Sequence, residues 1–466
     1  MSLVHLRGAS TLSRRRLLSL SAGGVLAVIS ASRLHAAAAN APTAVTTTTG
    51  AFLDARVVHD ITVTFDRSTY DAMVKTYTDT GDKEWIEATV AIDGATYAQT
   101  GMRLKGNSSL MGLRIARGGE TDQDVRIDGP GGGVSADKPE GLPWLIRLDK
   151  YEKDQQHDGI TELVIRSNPS ETSLNEAVAL ELLAEAGLAS QQAAATAFRV
   201  NGGAPALRLA IEHPNDDWMA LRFSNDGLLY KGESTGNYSY RGDDPDAYQD
   251  VFDLEAGGSG DAAEDMKPLI EFLDFINNSD DQTFANEIAA RLDVAQFAVY
   301  LAMMDLIDNF DDIDGPGNNA YLCLDPESKQ FTVVPWDMNL AFGAIGAVQP
   351  AGNLPEGGLP AQPSSSTPVA ENVMTGDGQE FPSGGPGGVF PPTPNPLVQR
   401  FKAIADYSAL IDEQASRLRA DLYESSTAND VLSRWVGVLA KGAAAMVDQA
   451  TITSEAEAIA AYFARS

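Results

Sequence analysis

The order of the two hydrophobic periodicities constrains the fold of this chain most. Alternation of apolar and polar residues, as in Ile61, Val63 and Phe65, is typical of strands and dominates the first half of the chain. It predicts strands at His59–Phe65, Glu87–Gly94, Thr96–Lys105, Trp144–Asp149, Glu162–Arg166, Ala195–Val200 and Ala206–Glu212. Aspartate followed by glycine at Asp93-Gly94 predicts a tight hairpin turn between the second and third of these strands.

Apolar residues at helical spacing dominate the second half. They predict helices at Met266–Asn277, Asp281–Leu292, Val294–Asp308, Pro396–Ala405, Tyr407–Tyr423 and Ala428–Ala450, after two earlier helices at Tyr70–Tyr77 and Ser173–Ala186. Because strands come first and helices later, we expect an α+β fold with a β-rich N-terminal part and a helical C-terminal part.

The first 39 residues have the pattern of an export signal. Arg14-Arg15-Arg16 precedes an apolar run from Leu17 to Ile29, and small residues follow at Ala36–Ala39. Paired arginines after a serine indicate the twin-arginine route. The apolar run is too short to cross a bilayer as a stable helix. We therefore expect a secreted, periplasmic or cell-surface protein that has no stable membrane insertion after signal removal.

Charge and composition exclude several classes of function. The 466 residues include 65 acidic and 34 basic ones, for a formal net charge of −31. Such a surface repels nucleic acid, whose binding depends on neutralising phosphates with Lys and Arg, and it would attract a basic protein. The same charge could equally serve solubility alone. A single cysteine, Cys323, excludes an intramolecular disulfide and a cysteine-based zinc site.

An acidic stretch at Asp308–Asn319, followed by Pro335-Trp336-Asp337, is the most informative local feature. Aspartate and asparagine are ordinary turn residues, and they are also oxygen ligands for a metal ion that holds phosphate. The stretch is not an EF-hand, because Phe310 and Tyr321 would stand where that loop needs carboxylates. The chain also has no Walker-type phosphate loop.

Several stretches together resemble the spore-coat kinase family typified by the coat protein CotH. They are Met102–Leu110, Ile146–Tyr151, Asn201-Gly202 with Glu212, Leu229–Lys231, Asn309–Asp311, Asn318-Asn319 and Pro335–Asn339, and a further short similarity occurs at Asn395–Leu397. The resemblance implies an atypical protein-kinase-like fold that binds ATP with Mg²⁺ or Mn²⁺ and phosphorylates Ser or Thr. It divides the chain into a kinase-like domain over 40–345, a Gly/Pro/Ser-rich insertion over 346–394, and a helical part over 395–466 packed on the kinase-like domain.

The resemblance also implies roles for individual residues. Asp311 would be the catalytic aspartate that accepts the proton of the substrate hydroxyl, and Asp337 would bind the metal, with Asn319 or Asn339 as a second oxygen ligand. The residues expected to bind the nucleotide are Arg103, Lys105, Arg147, Glu176, Glu212 and Lys231. Glu176, or alternatively Glu181, could pair with a lysine, as the helix glutamate of kinases does.

Alternatives stay open from the sequence alone. Asp308 rivals Asp311 for the catalytic role, and Asp308, Asp312 and Asp314 are equally typical of turns or a solvated surface. The protein partner would be basic or Ser-rich, and transfer of the AMP moiety is a variant of the same chemistry. A catalytically inactive, adhesin-like surface-binding module is the alternative function, because a fold does not by itself fix an activity.

Overall fold

The computed structural model describes residues 51–110, 112–113, 134–223, 227–233, 237–315, 319–343 and 395–465. The predicted export signal over 1–39 and the predicted insertion over 346–394 lie outside these residues, as does Asn318. Both segments therefore stay predictions.

Seven strands close into a barrel in the order β1-β2-β3-β4-β5-β7-β6. Every neighbouring pair is antiparallel except β1 and β6, which run parallel and close the barrel. The strands are β1 (His59–Phe65), β2 (Ile86–Ile92), β3 (Ala95–Leu104), β4 (Trp144–Arg147), β5 (Glu162–Ile165), β6 (Ala193–Val200) and β7 (Ala206–Glu212). The predicted hairpin at Asp93-Gly94 is confirmed, with both turn residues at positive φ.

A second, antiparallel sheet has the strand order β11-β10-β8-β9. Its strands are β8 (Leu228–Gly232), β9 (Phe252–Ala256), β10 (Ala320–Leu324) and β11 (Phe331–Pro335). Every residue of β10 and β11 is buried, which accounts for their continuous apolar sequences.

Ten α-helices surround the strands in the described part of the chain. They are α1 (Arg67–Thr80), α2 (Leu174–Glu185), α3 (Asp216–Arg222), α4 (Ala262–Asn278), α5 (Asp281–Glu287), α6 (Val294–Leu306), α7 (Pro396–Lys402), α8 (Ala405–Leu418), α9 (Thr427–Gly442) and α10 (Gln449–Arg465). None of the helices in these ranges is long and apolar enough to cross a membrane.

Two hydrophobic cores lie on opposite faces of strands β4 to β7. The barrel interior, with residues such as Ile61, Trp144 and Phe198, forms one core together with α1. The outward faces of β4 to β7 pack instead into a larger core that also contains α2, the second sheet and the helices after residue 395. Because α2 has neighbours all round it, it is buried over almost its whole length, including two polar residues, Asn175 and Glu176.

The mixed helix and strand content confirms the α+β class. The strands of the N-terminal part close into a barrel, which the sequence did not predict. The helices after residue 395 contact the earlier part directly, since Trp435 Nε1 donates a hydrogen bond to Glu181 Oε2 on α2 at 3.0 Å. Glu181 also pairs with Arg434, so its carboxylate is held on the α9 side of α2.

Candidate active site

Arg166 connects two acidic side chains that are far apart in sequence. Its Nε donates to Glu176 Oε1 at 2.7 Å, and its Nη2 donates to Asp337 Oδ1. Arg166 directly follows β5, Glu176 lies in the first turn of α2, and Asp337 follows β11. We call these three residues the Arg166 bridge. It joins the barrel, the central helix and the loop after the second sheet at one point.

The side chains of the Arg166 bridge are buried to different degrees. Arg166 is 7% exposed, Glu176 1% and Asp337 25%. Burial raises the pKa of Glu176 to about 7, although Arg166 opposes that shift. Burial alone would lower the pKa of Arg166, but the carboxylates of Asp337 and Glu176 raise it. Asp337 is therefore the member of the bridge that keeps access to solvent and to a ligand.

The backbone at Asp337 has a left-handed conformation, with φ at 64°. A non-glycine residue pays a conformational cost there, and such positions persist where the surrounding structure holds them and often mark functional sites. Two contacts hold this segment: Gln191 Nε2 donates to the Pro335 carbonyl at 3.2 Å, and Trp336 N donates to the Asn319 carbonyl at 3.2 Å. The backbone directly before Asp337 is thus held by two separate elements.

Asp311 lies close enough to Asp337 for the two charges to interact. Burial raises the pKa of Asp311 to about 6, and the negative charge of Asp337 adds to the shift. Asn319 Nδ2 donates to the Asp311 backbone carbonyl at 2.8 Å, which ties the acidic loop to the start of β10. The structure therefore brings together Asp311, Asp337 and Asn319, which the sequence had placed at one site.

Asn339 also lies beside this group. Asn175 Nδ2, from the first turn of α2, donates to the Asn339 carbonyl at 2.5 Å. The contact anchors the segment after Asp337 to the helix that carries Glu176.

The other aspartates of the acidic stretch have structural surroundings. Asp312 Oδ1 accepts hydrogen bonds from the backbone N–H groups of Asp314 and Gly315 at 2.9 Å, which is the geometry of a turn. Asp314 pairs with Lys402 of α7, and Asp308 is exposed. These contacts agree with the turn and surface reading of the three residues.

Lysine 105 lies where the barrel faces the second sheet. Its ammonium group donates to His213 Nε2 at 2.9 Å and lies 3.9 Å from Glu255 Oε1 of β9. Burial lowers the pKa of Lys105 to about 8. Because the ammonium group has no lone pair, His213 must accept through Nε2, and its Nδ1 then donates to Glu162 Oε2 at 2.7 Å. Burial, together with Lys105, lowers the pKa of His213, which agrees with a neutral ring.

A tryptophan connects Lys105 and its partners His213 and Glu255, which we call the lysine cluster, with the Arg166 bridge. The Trp336 ring has Lys105 Nζ at 6.0 Å and the Arg166 guanidinium at 5.7 Å from its centroid. Lys231, which pairs with Glu233, and Arg103, which stacks over Trp85 at 4.9 Å, both contribute positive charge near Lys105. The Trp336 ring thus lies between Lys105 and the arginine that binds Asp337 and Glu176.

Two residues that were predicted to bind the nucleotide form ion pairs with other side chains of the chain. Glu212 Oε2 accepts from Arg222 Nη2 at 2.6 Å and from the Gln192 backbone N–H at 2.7 Å, in a buried ion pair with α3. Arg147 pairs with Asp149 at 2.8 Å and with Glu162 at 3.3 Å, so it reaches Lys105 only through Glu162 and His213.

Sequence reasoning missed the residue at the centre of the site. The prediction that Glu176 or Glu181 pairs with a lysine is wrong, because Glu176 pairs with Arg166 and Glu181 with Arg434. Arg166 ends a predicted strand, and an arginine that directly follows an apolar strand was the available signal. His213 and Glu162 were also missed.

The donors around Asp337 fit a magnesium or manganese ion. Asp337, Asp311 and Asn319 offer oxygen atoms, which both ions prefer. The mutual repulsion that helps to raise the pKa of Asp311 is also the interaction that a divalent cation would remove. Within the residues that the structure describes, no three His, Cys, Asp or Glu side chains form a metal-binding group. Mg²⁺ usually binds one or two carboxylates together with substrate phosphates, so a preformed protein cage is not required.

Comparisons with known proteins identify the family of the chain. The chain is 24% identical over 187 residues to the inner spore coat protein H of Bacillus subtilis (strain 168), an alignment that covers 40% of this chain and 51% of that protein. The chain thus spans about half the length of this curated relative. A family model described as CotH kinase protein matches residues 131–461, which include the Arg166 bridge, the acidic stretch and the helices after residue 395. The chain therefore belongs to the CotH kinase protein family.

Proposed function

We propose that this protein is an exported, metal-dependent protein kinase with a kinase-like fold that transfers the γ-phosphate of ATP to Ser or Thr of a protein partner. The observation that carries the proposal is the meeting of Asp311 and Asp337 beside Arg166, next to the lysine cluster at Trp336. Phosphoryl transfer needs a carboxylate to orient the accepting hydroxyl and positive charges to hold the phosphates. Family membership supports the same reaction class.

Asp311 would accept the proton of the substrate hydroxyl. Its buried position and its raised pKa of about 6 give it the basicity that a general base needs near neutral pH. Asp337 would hold Mg²⁺ or Mn²⁺ together with Asn319, with Asn339 as the alternative ligand. The metal, when bound, would neutralise phosphate charge.

Arg166 would position Asp337 rather than contact the substrate. Its hydrogen bond from Nη2 orients the Asp337 carboxylate, and its bond from Nε to Glu176 holds the guanidinium in place. Asp337 Oδ2, which has no hydrogen-bond partner among the described residues, is left for a ligand. The Arg166–Glu176 pair would then take the structural place that a lysine–glutamate pair has in protein kinases.

Lys105 and Lys231 would hold the phosphates. Lys105 is half-neutral near pH 8 in the absence of ligand, because burial disfavours its charge. A triphosphate beside it would raise its pKa again, so binding of ATP would be coupled to uptake of a proton. Arg103 would add positive charge near Lys105. We leave Glu212 and Arg147 out of the nucleotide site, since their charges are compensated by Arg222 and by Asp149 and Glu162.

The protein partner would be basic or Ser-rich, because the net charge of −31 attracts basic segments. The proposed location is the cell surface or the space outside the inner membrane. The relative named above is a spore coat protein by its name, which supports a surface location for this chain.

The proposal is tested by incubating purified protein with Mn²⁺, γ-labelled ATP and a Ser-rich basic acceptor such as protamine. We expect transfer of label to serine in the wild type and a loss of at least about a hundredfold in Asp311→Asn, since a general base contributes roughly 10²–10⁴-fold. The matched control is Asp308→Asn, an exposed aspartate three positions earlier, which should keep wild-type activity.

Four results would contradict the proposal or change it. Equal activity of wild type and Asp311→Asn would exclude the assigned base, and loss in Asp308→Asn alone would transfer the role to Asp308. A mass increase corresponding to AMP on the acceptor would identify adenylyl transfer instead. If ATP with Mn²⁺ neither transfers label nor raises the melting temperature, the surface-binding alternative is favoured, because any ligand of the native state stabilises it.

A further inference from the structure

The lysine assigned to the phosphates is held by a neutral side chain rather than by a carboxylate. Among the described residues, the ammonium group of Lys105 makes one hydrogen bond, to His213 Nε2 at 2.9 Å. Its ion pair with Glu255 Oε1, at 3.9 Å, is beyond hydrogen-bond distance. In protein kinases the corresponding lysine pairs directly with a helix glutamate. Here Glu176 of α2 binds Arg166 instead, so a different group holds Lys105.

The register of the barrel places a carboxylate behind the imidazole ring. Strands β5 and β7 are antiparallel with Leu163 opposite Glu212, so Glu162 and His213, the next residues on the two strands, are cross-strand neighbours. His213 Nδ1 lies 2.7 Å from Glu162 Oε2. The other oxygen of the Glu162 carboxylate pairs with Arg147 of β4 at 3.3 Å. The strand pairing therefore fixes the carboxylate, and the carboxylate fixes the ring.

This contact selects one tautomer of His213. A neutral imidazole has one N–H donor, and its other nitrogen is an acceptor. Because the Glu162 carboxylate accepts the hydrogen at Nδ1, Nε2 keeps the lone pair that accepts from Lys105. The side chain of His213 is 3% exposed, and burial together with Lys105 lowers its pKa, so the ring is neutral near pH 7. The ring also packs edge to face against Trp336, with the centroids 6.3 Å apart.

A neutral acceptor holds the ammonium group without cancelling its charge. An ammonium group has three N–H donors, and the two that His213 does not bind have no acceptor among the described residues. A carboxylate in direct contact would compete with phosphate oxygens for these donors, whereas the Glu162 carboxylate is bound to the other nitrogen of the ring. The remaining charges that act on Lys105 are mixed in sign: Glu255, Glu233, Lys231 and Arg103.

We propose that Glu162 and His213 are the positioning residues of Lys105, and that the neutral ring between the carboxylate and the lysine leaves the charge of Lys105 available to the phosphates of ATP. This inference rests on the proposed function, because it concerns the lysine assigned to the triphosphate. Glu162 sets the tautomer of the ring, and His213 sets where the ammonium group lies. Both residues act through Lys105 rather than on the nucleotide.

The first test is ¹⁵N NMR of the histidine side chains in the full chain without nucleotide. At pH 7 we expect His213 to be neutral, with its proton on Nδ1. A ring that carries its proton on Nε2, or an imidazolium, could not accept from Lys105 and would overturn the proposal.

The second test is the pKa of Lys105, measured by NMR of its side chain in the same nucleotide-free protein. His213→Phe keeps a ring beside Trp336 and removes the acceptor. The pKa of Lys105 should then fall at least about one unit below its wild-type value of about 8, because a buried ammonium group loses its hydrogen bond. A lost packing contact alone would not cause this fall.

Two further variants make the second test specific. In His213→Gln the amide oxygen can accept from Lys105 and the amide N–H can donate to Glu162, so the pKa of Lys105 should stay near about 8. The matched control is His157→Phe, which changes a histidine bonded to Tyr97 at 2.8 Å and should leave Lys105 unaffected. An unchanged pKa in His213→Phe, or an equal fall in His213→Gln, would overturn the proposal.

Binding of ATP with Mn²⁺ to the same variants connects the positioning with the proposed function. We expect the dissociation constant to rise at least about tenfold in His213→Phe and to stay near the wild-type value in His213→Gln and His157→Phe. An ATP affinity of His213→Phe equal to that of wild type would overturn this inference and leave the proposed function intact. Absence of ATP binding in wild type would overturn the proposed function, so the two failures are distinguishable.

Discussion

Removal of Arg166 should destabilise the protein by an amount that depends on pH. In Arg166→Met the Glu176 carboxylate, which is 1% exposed, loses its cation and keeps only the hydrogen bond from Asn168 Nδ2 at 3.2 Å. Breaking a buried ion pair by removing one partner typically costs about 3–5 kcal/mol. Asp337 is 25% exposed, so the loss of its bond to Arg166 adds less.

The pH dependence follows from the pKa of Glu176, which burial raises to about 7 even with Arg166 present. A carboxyl whose folded-state pKa lies above its unfolded value binds more protons in the folded state, so stability falls as pH rises between the two values. Loss of Arg166 raises the pKa of Glu176 further and extends this fall above pH 7. Relative to wild type, the variant should lose about 1.4 kcal/mol for each pH unit above 7, until the new pKa is passed.

Urea denaturation of wild type and Arg166→Met at pH 6, 7, 8 and 9 measures this difference. The double variant Arg166→Met/Glu176→Gln removes the titrating group and should lose the additional pH dependence. The control is Arg199→Met, whose surface pair with Asp60 should be worth less than about 1 kcal/mol at any of these pH values. A difference between wild type and Arg166→Met that is independent of pH, or smaller than that of Arg199→Met, would refute the reasoning.

Three further predictions follow from the same contacts. In metal-free protein, ¹³C NMR of the Asp311 carboxyl should give a pKa of about 6, because burial and the charge of Asp337 disfavour its ionised form. Added Mg²⁺ should lower this pKa. A pKa that Mg²⁺ leaves unchanged would separate Asp311 from the metal site. Burial lowers the pKa of Lys105 to about 8, so the unfolded chain binds more protons than the folded one between pH 8 and 10.5. The unfolding free energy of wild type relative to Lys105→Met should therefore rise across that window. A fall would contradict the lowered pKa of Lys105. Gly315→Ala would place a Cβ 2.1 Å from the Phe310 carbonyl oxygen and should lower the melting temperature. Gly437→Ala, in open space on α9, should stabilise the protein by up to about 1 kcal/mol. A higher melting temperature for Gly315→Ala than for Gly437→Ala would contradict both expectations.

The barrel strands could be predicted from the sequence because each carries its own alternation. His59–Phe65 is found with the predicted bounds, since its apolar residues fall on the buried face and its polar ones outside. The strands Leu228–Gly232 and Phe252–Ala256 were missed, because they are five residues long and the chain between them is rich in turn residues. The helix Gln449–Arg465 was missed as well, since its many alanines give little apolar contrast.

The candidate site was predictable only in its acidic half. Asp311 and Asp337 stand in a recognisable local pattern, so a sequence motif was enough to single them out. The partners of Glu176 and Glu212 were not predictable, because Arg166 reaches Glu176 across the contact between the barrel and α2, and Arg222 lies on a helix that the sequence did not indicate. Pairings of this kind depend on the packing of separate elements, about which periodicity within one element says nothing.

The most direct test of the account is a crystal structure of the full chain with Mn²⁺ and a non-hydrolysable ATP analogue, with anomalous differences measured at a wavelength where manganese scatters. We expect a manganese peak within coordination distance, about 2.0–2.3 Å, of a carboxylate oxygen of Asp337, with Asp311 facing the γ-phosphate and Lys105 and Lys231 on the phosphates. A nucleotide bound without contact to Asp337, or a manganese peak held by other residues, would contradict it.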